Sequence, residues 1–290
     1  MSKPEIIITP DKMCLLASSW RSDRLKIALV PTMGFLHEGH LSLIKKARET
    51  ANRIIVSIFV NPLQFGPNED FDSYPRNIER DILQLSKYGV DAAFIPTIQN
   101  FYSPDFSTSV DVNDLTQGLC GTDRPGHFKG VTTVVTKLFN TCSPHVAVFG
   151  QKDFQQAMVI KRMTRDLNWN IDIKIAPTVR EHDGLAMSSR NANLTTLERS
   201  NAPKLYKGLC KGQTEITNGV RSAKKIQQII YCFIKENLTE QIEYVEVIDK
   251  ETLERIDTIS RPIVIAAAVR LSKTRLIDNI ILSPSNLSTS

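Results

Sequence analysis

Short apolar runs alternate with helical patterns through the first two-thirds of the chain, and this alternation constrains the fold more than any other feature. The run Lys26–Val30 (KIALV) predicts a buried strand, positions 41–52 place apolar side chains at helical spacing, and Arg53–Val60 (RIIVSIFV) predicts a second strand. A strand, a helix and a strand in that order form a βαβ unit, in which the strands are parallel and the crossover is right-handed. The sequence therefore predicts a parallel sheet.

The alternation continues as far as residue 175. It predicts helices over 77–88, 131–140 and 154–167, and strands over 90–95, 145–149 and 171–175. From residue 181 a polar loop begins, followed by predicted helices over 196–210 and 221–237 and by alternating strands over 242–248 and 262–269. We therefore expect an α/β domain over residues 1–180, a smaller α+β domain over residues 181–290, and a frayed polar tail over 283–290.

Composition excludes several classes of protein. The 290 residues have a formal net charge of +5, but the charges form no clustered basic stripe of the kind that nucleic-acid surfaces carry, so we expect no nucleic-acid partner. No apolar run has the roughly 18–20 residues of a membrane span, and the first residues lack an apolar signal core. The five cysteines are scattered and never form CxxC, which argues against a disulfide framework or a structural zinc site. A cytoplasmic protein without a membrane partner is expected.

The first chemical cluster follows the first predicted strand, where open α/β sheets bind their ligands. It reads Pro31-Thr-Met33-Gly34-Phe-Leu-His37-Glu-Gly39-His40. Glycines permit close backbone approach, a helix N terminus offers N–H groups to a phosphate, and two imidazoles one turn apart can donate hydrogen bonds to it. The pair differs from the HExxH metalloprotease signature, and metal ligation or an ordinary surface turn remain alternatives.

Three further clusters carry polar side chains that could bind anionic or hydroxyl groups of a ligand. Asn61 and Gln64 follow the second predicted strand, and their amides can pair with hydroxyl and carboxylate oxygens or with the backbone of a turn. The segment Phe149–Gln156 holds Lys152, a compact cation that can meet a phosphate. The segment Gly184–Asn191 joins two serine hydroxyls to an arginine, which suits anionic oxygens but also an ordinary serine-rich linker.

Two features receive no firm role from spacing alone. The loop Arg124–Gly130 is bounded by glycines and carries basic and imidazole side chains. Asp81, in a predicted helix, is a candidate Mg²⁺ ligand, although a carboxylate on a helix surface is the simpler explanation.

Taken in order, these clusters resemble the pantoate–β-alanine ligase (pantothenate synthetase) family. The shared segments run from residue 31 to residue 279: PTMGxLHxGH, FVNPxQF, YPR, RPGHFxGV, KDFQQ, DGLAxSSRN and RLIDN. The HEGH and SSRN segments are also similar to the HIGH and KMSKS elements of class I aminoacyl-tRNA synthetases and related nucleotidyltransferases. The shared chemistry is attack on the α-phosphate of ATP.

The resemblance implies a Rossmann-like ATP- and pantoate-binding domain, a C-terminal lid domain and a homodimer. It implies that pantoate attacks ATP, with Mg²⁺ present, to give pantoyl adenylate, and that β-alanine then displaces AMP to form pantothenate, a coenzyme A precursor. Four side chains are implied in catalysis: His37, His40, Lys152 and Arg190. ATP would contact these four residues and ten others: Met33, Gly34, Gly39, Gly150, Gln151, Asp153, Val179, Met187, Ser188 and Ser189. Gln64 and Gln156 would hold pantoate or β-alanine, with Asn61 supporting that pocket.

The chain departs from the family pattern at two places. Gln151 stands where an acidic residue is common, and Arg80 lies beside Asp81 where some members have a second acid. Two other functions remain open from the residues: a nucleotidyltransferase that adenylates a phosphorylated acceptor, which needs neither Gln64 nor Gln156, and a non-catalytic nucleotide- or RNA-binding module.

Overall fold

A computed structural model of the chain describes residues 3–67, 69–239 and 241–283. These residues group into two compact units, the first containing 3–113, 124–151 and 156–177, and the second containing 114–123, 152–155 and 178–283. The second unit therefore includes two short segments that precede the expected domain boundary at residue 180. Of the tail expected to fray, residues 284–290 lie outside the described residues.

The first unit is built on a six-stranded parallel sheet, which confirms the predicted fold class. In chain order its strands are β1 (Glu5–Ile7), β2 (Ile27–Thr32), β3 (Arg53–Ile58), β4 (Ala92–Phe94), β5 (Val146–Gly150) and β6 (Asp172–Ala176). Leu29, Ile55 and Ala147 are 0% exposed, as expected for strands of a parallel sheet covered on both faces.

Helices connect these strands. They are α1 (Pro10–Ser22), α2 (Glu38–Arg48), α3 (Ile78–Lys87), α4 (Ile98–Phe101), α6 (His127–Cys142) and α7 (Phe154–Asp166), while α5 (Cys120–Asp123) belongs to the second unit. The helix predicted over 131–140 is longer than expected, because the left-handed Gly126, at φ 82°, ends the preceding loop and α6 begins directly after it. The sequence patterns did not predict β1 or α1.

The strand order is β1-β4-β3-β2-β5-β6. From β2 the chain builds outward through β3 and β4 on one side and later through β5 and β6 on the other. The boundary between β2 and β5 is thus the topological switch point, where open α/β sheets form a crevice beyond the strand ends. The loop after β2 and the loop after β5 are the two that lead away from this point.

The second unit contains a three-stranded antiparallel sheet of β7 (Ile242–Asp249), β8 (Ile263–Leu271) and β9 (Thr274–Leu282). The helix predicted over 196–210 is two helices, α8 (Thr196–Asn201) and α9 (Lys204–Thr217), because Pro203 has no N–H to continue the first one. The last helix is α10 (Ala223–Asn237). Ile226, Ile230 and Ile234 of α10 are 0% exposed and pack with Leu209 of α9 on the β-sheet residues of the same core.

Within the described ranges, none of the helices has both the length and the apolar character needed to cross a membrane.

Candidate active site

The loop between β2 and α2 is held in an unusual backbone conformation. Gly34 has φ 83° and Phe35 has φ 52°, so two consecutive residues occupy the left-handed region. A Cβ atom at position 34 would lie 2.9 Å from Ile58 Cγ2 and 3.0 Å from Asp81 Oδ2, so a side chain there would force its neighbours to move and would also strain the backbone. The predicted requirement for glycine at Gly34 therefore has a steric cause in this loop.

His37 and His40 lie against each other at the start of α2. Their ring centroids are 4.1 Å apart. His37 is the N-cap residue, and its Nδ1 accepts a hydrogen bond from Gly39 N at 3.1 Å, while His40 Nδ1 receives a long one of 3.4 Å from His37 N. An Nδ1 that accepts carries no proton, so a neutral ring at either position bears its proton on Nε2 and donates from there.

The N terminus of α2 differs from the expected row of free N–H groups. Gly39 N–H already donates to the His37 ring, and His40 N–H donates to His37 O at 2.8 Å. The donors that the sequence assigned to the helix backbone are therefore partly used inside the first turn. Any anion at this place meets imidazole N–H groups and the positive end of the helix dipole instead.

Asp81 holds the loop before His37 through both of its carboxylate oxygens. Oδ2 accepts a hydrogen bond from Phe35 N and Oδ1 accepts one from Leu36 N, each at 2.7 Å. The residue is 1% exposed, so it is not the surface carboxylate that the sequence suggested as the simpler explanation. Burial raises the pKa of Asp81 from its ordinary 3.8, and the two backbone N–H donors act in the opposite direction.

These contacts give Asp81 a structural role, because it fixes the backbone that leads into the histidine pair. Each carboxylate oxygen retains a lone pair beside its backbone N–H, so the role of Asp81 as a Mg²⁺ ligand stays a prediction. Across the described residues, no group of three or more His, Cys, Asp or Glu side chains is placed to hold a metal ion.

Asn61 and Gln64 form a buried amide pair after β3. Asn61 Nδ2 donates to Gln64 Oε1 at 3.1 Å and to Gly130 O at 3.0 Å, and its Oδ1 accepts from Tyr102 Oη at 2.9 Å. Gln64 Nε2 lies 3.1 Å from Met33 Sδ. Asn61 therefore orients the amide of Gln64 next to the loop that carries Met33.

The loop that spacing left without a role holds the backbone of Gln64. Arg124 donates to Gln64 O at 3.2 Å and is paired with Glu69 through both carboxylate oxygens. His127 Nδ1 lies 2.8 Å from the same carbonyl and therefore donates to it, while its Nε2 receives Arg124 Nη1 at 3.1 Å. Burial of Glu69 works against its ionisation, but the hydrogen bond and charge of Arg124 prevail and lower its pKa below 4.5.

The residues after β5 divide between the two units. Gly150 ends the strand and Gln151 begins a 3-10 turn in the first unit, whereas Lys152 and Asp153 belong to the second. Lys152 Nζ lies 3.7 Å from Asp153 Oδ1, so an acidic partner stands beside this cation although Gln151 is not acidic. Gln156 lies in the first turn of α7 and is half-buried.

The predicted nucleotide segment of the second unit is a short hairpin followed by a 3-10 helix. Met187 N donates to Val179 O at 3.0 Å, which closes the hairpin. Ser188 is the N-cap of the 3-10 helix Ser189–Asn193, with its Oγ accepting from Arg190 N at 3.2 Å. Ser189 is buried and Arg190 is half-buried.

Similarity to known proteins identifies the family of this chain. The sequence model of the family described as Pantoate-beta-alanine ligase matches residues 5–281, which is nearly the whole chain. The chain belongs to this family. A pantothenate synthetase from Thermotoga neapolitana is 50% identical over 277 residues, covering 96% of this chain and 99% of its relative. One from Acetivibrio thermocellus is 52% identical over 256 residues, covering 88% and 91%.

Solved structures of other pantoate–β-alanine ligases have the same fold. The pantothenate synthetase from Thermus thermophilus superposes with a TM-score of 0.90 at 38% identity, covering 95% of this chain and 98% of that one. The enzyme from Francisella tularensis, with a TM-score of 0.75 at 33% identity and coverage of 96% and 97%, was solved in complex with "Beta-gamma ATP and Beta-alanine".

Sequence reasoning missed two residues that this member of the pantoate–β-alanine ligase family uses to build its site. Tyr102 is buried and hydrogen-bonded to Asn61, and burial raises its pKa above the ordinary 10.0. Glu69 supports Arg124 from a loop 55 residues away in sequence. Neither lies in a spacing pattern, so only the folded chain reveals them.

Proposed function

We propose that this protein condenses pantoate with β-alanine to form pantothenate, using ATP and releasing AMP and pyrophosphate. The observation that carries the proposal is the close His37–His40 pair at the start of α2, preceded by Met33 in contact with the oriented amide of Gln64. A donor pair suited to phosphate thus follows a loop whose Met33 contacts the Gln64 amide, a group suited to a carboxylate or hydroxyl. The relatives named as pantothenate synthetases support the same reaction.

In the first step a pantoate carboxylate oxygen bonds to the α-phosphorus of ATP. The bond from that phosphorus to the oxygen bridging to the β-phosphorus breaks, and pyrophosphate leaves with the electron pair. In the second step the amine of β-alanine bonds to the acyl carbon, the bond from that carbon to the AMP oxygen breaks, and the amine loses a proton. A carboxylate is a poor electrophile, and the adenylate supplies the leaving group that amide formation needs.

The first unit supplies alignment and charge stabilisation. We propose that Gln64 and Gln156 hold the acid, that Asn61 supports Gln64, and that the histidine pair donates from Nε2 to phosphate oxygens as charge develops. His40 is the proposed proton carrier and His37 its partner. Met33, Gly34, Gly39, Gly150 and Gln151 are proposed to lie along ATP.

The second unit supplies cations and hydroxyls for the same nucleotide. Lys152 is proposed to meet the phosphates, with Asp153 beside it, and Val179 to meet the adenine through its backbone. Met187, Ser188, Ser189 and Arg190 are proposed to close over ATP as part of a lid. Mg²⁺ remains a proposal based on the family resemblance: it would neutralise charge on the ATP phosphates, and whether Asp81 also holds it is tested by Asp81→Asn.

Three properties of the whole protein are also proposals. The division into a catalytic domain 1–180 and a lid 181–290 rests on the change of sequence pattern, and the homodimer rests on the family resemblance. A cytoplasmic location is supported by the use of ATP and by the five free cysteines.

Exchange of labelled pyrophosphate into ATP tests the proposed function. We expect exchange that requires pantoate and does not require β-alanine, together with net AMP release that requires both. Exchange supported by a phosphorylated acceptor in place of pantoate would indicate the nucleotidyltransferase. ATP binding without exchange under any of these conditions would indicate a binding module and contradict the proposal.

A further inference from the structure

Two adjacent side chains of β9, Asp278 and Asn279, are buried although both are polar. Each is 3% exposed. They are the last two residues of the RLIDN segment, which has no role in the proposed reaction. Buried polar groups of this kind require hydrogen-bond partners, and the partners show what the segment does.

Asn279 holds the backbone of Lys152. Its Nδ2 donates to Lys152 O at 3.0 Å. Lys152 belongs to the short segment 152–155 of the second unit, and Gln155 in the same segment donates to Leu115 O at 2.9 Å and to Gly118 O at 2.8 Å. The proposed phosphate-binding lysine therefore has its main chain fixed by a side chain 127 residues later in sequence.

Asp278 holds the hairpin 179–187. Its carboxylate accepts both arms of the Arg180 guanidinium, at 2.6 Å and 2.9 Å, and Oδ1 also accepts from Asn279 N at 2.8 Å. Arg180 lies 3.5 Å from the ring centroid of Tyr206 and donates to Gly184 O at 3.1 Å. Because the Arg180 guanidinium is planar, bonds to both carboxylate oxygens and stacks on a ring, it fixes the orientation of the hairpin as well as pairing with the Asp278 charge.

Successive side chains of a strand point to opposite faces of its sheet, so neighbouring residues of β9 reach two different segments. We propose that Asp278 and Asn279 are positioning residues for nucleotide binding: Asn279 places the main chain of Lys152, and Asp278, through Arg180, places the hairpin that leads to Ser188–Arg190. This inference rests on the proposed function, which assigns both segments to ATP. It gives the RLIDN segment a role in aligning groups that contact the nucleotide.

Asn279→Ala tests the first half of the inference. The change removes the hydrogen bond to Lys152 O and leaves the Lys152 side chain intact. We expect the dissociation constant for ATP, measured by calorimetry without pantoate, to rise by about fivefold to tenfold, the effect of one lost buried hydrogen bond. The KM for pantoate should stay within about twofold. Asn237→Ala is the control, because Asn237 Nδ2 also donates to a backbone carbonyl, that of Phe233, but Asn237 is exposed at the C-terminal end of α10.

Arg180→Lys tests the second half without removing the charge opposite Asp278. A lysine lacks the planar fork that bonds to both carboxylate oxygens in parallel and stacks on Tyr206, so the hairpin loses its fixed direction. We again expect weaker ATP binding of about fivefold or more. Arg261→Lys is the control, because Arg261 pairs with Asp249 at 2.7 Å elsewhere in the same unit.

Thermal unfolding and circular dichroism separate positioning from stability. Folded variants that bind ATP as tightly as the wild-type protein, whatever their unfolding temperature, would overturn the inference and leave Asp278 and Asn279 with a structural role. Wild-type protein that binds ATP but lacks pantoate-dependent exchange would contradict the proposed function instead, so the two failures are distinguishable.

Discussion

At the scale of single residues, the site depends on groups that never need to touch substrate. Asp81 holds Phe35 N and Leu36 N, Asn61 holds the Gln64 amide, and Arg124 with His127 holds the Gln64 carbonyl. Because these groups are buried or half-buried and hydrogen-bonded, we expect the side chains proposed to react to be aligned before substrate arrives. Alignment of this kind is a large part of what a phosphoryl transfer requires from a protein.

Asp81→Asn separates a role in alignment from a role in metal binding. An asparagine can accept only one of the two backbone N–H bonds and sets an N–H group against the other, at a cost of about 1–3 kcal/mol in the free energy of unfolding. We expect kcat for pantoate-dependent exchange to fall by about tenfold to a hundredfold, because the histidine loop shifts. The Mg²⁺ concentration that gives half-maximal exchange should not change.

The control is Glu79→Gln, which makes the same change of charge on the exposed side of α3. A markedly higher requirement for Mg²⁺ in Asp81→Asn, with activity restored at high Mg²⁺, would contradict the alignment role and return Asp81 to the metal site.

At the scale of elements, the N-terminal part of α6 packs directly on the 3-10 turn Pro62–Gln64. Gly130 allows this approach, since a Cβ at that position would overlap the backbone of Leu63 and would lie 2.6 Å from Gln64 N. The same contact brings Gly130 O to Asn61 Nδ2. The spacing between helix and turn therefore sets the position of the amide proposed to hold pantoate.

Gly130→Ala should move the turn away from α6. Because the overlap is with backbone, neither side can relax by a change of rotamer, and we expect a loss of about 1–3 kcal/mol in the free energy of unfolding by urea. The KM for pantoate should rise more than the KM for ATP. Gly118→Ala is the control, since its Cβ position is open and should cost little. Equal effects of the two substitutions on the KM for pantoate would contradict this account.

The elements that sequence predicted best are those whose pattern is set by local burial. The strands at β2, β3 and β5 have continuous apolar runs, because a parallel sheet buries both faces. The pattern did not predict β9, whose residues include Arg275, Asp278 and Asn279. Those polar side chains satisfy partners distant in the chain, so their place in a strand depends on tertiary contacts that no local period encodes.

The residues of the candidate site also divide into those that a local pattern reveals and those that depend on tertiary contacts. The histidine pair, Gln64 and Lys152 could be selected from the sequence because each lies at a strand end beside a glycine or proline. The functions of Asp81, Arg124 and His127 could not, because each depends on which backbone atom lies opposite. Family resemblance supplied the identity of the substrates, which residue types alone left open.

At the scale of the whole molecule, each unit contributes a different part of the proposed chemistry. The first carries the imidazoles and amides beyond the carboxyl ends of β2 and β3, and the second carries Lys152 and the segment ending in Arg190. The net charge of +5 does not follow this division, because the first unit carries 19 basic and 15 acidic side chains and the second carries 17 and 16.

The central claim is that the carboxylate of pantoate becomes bonded to the α-phosphorus of ATP. Pantoate labelled with ¹⁸O in its carboxylate tests this directly, by mass spectrometry of the products formed with ATP and β-alanine. The account predicts one labelled oxygen in the phosphate of each AMP released and none in pyrophosphate. Label in pyrophosphate or inorganic phosphate, or AMP without label, would contradict it.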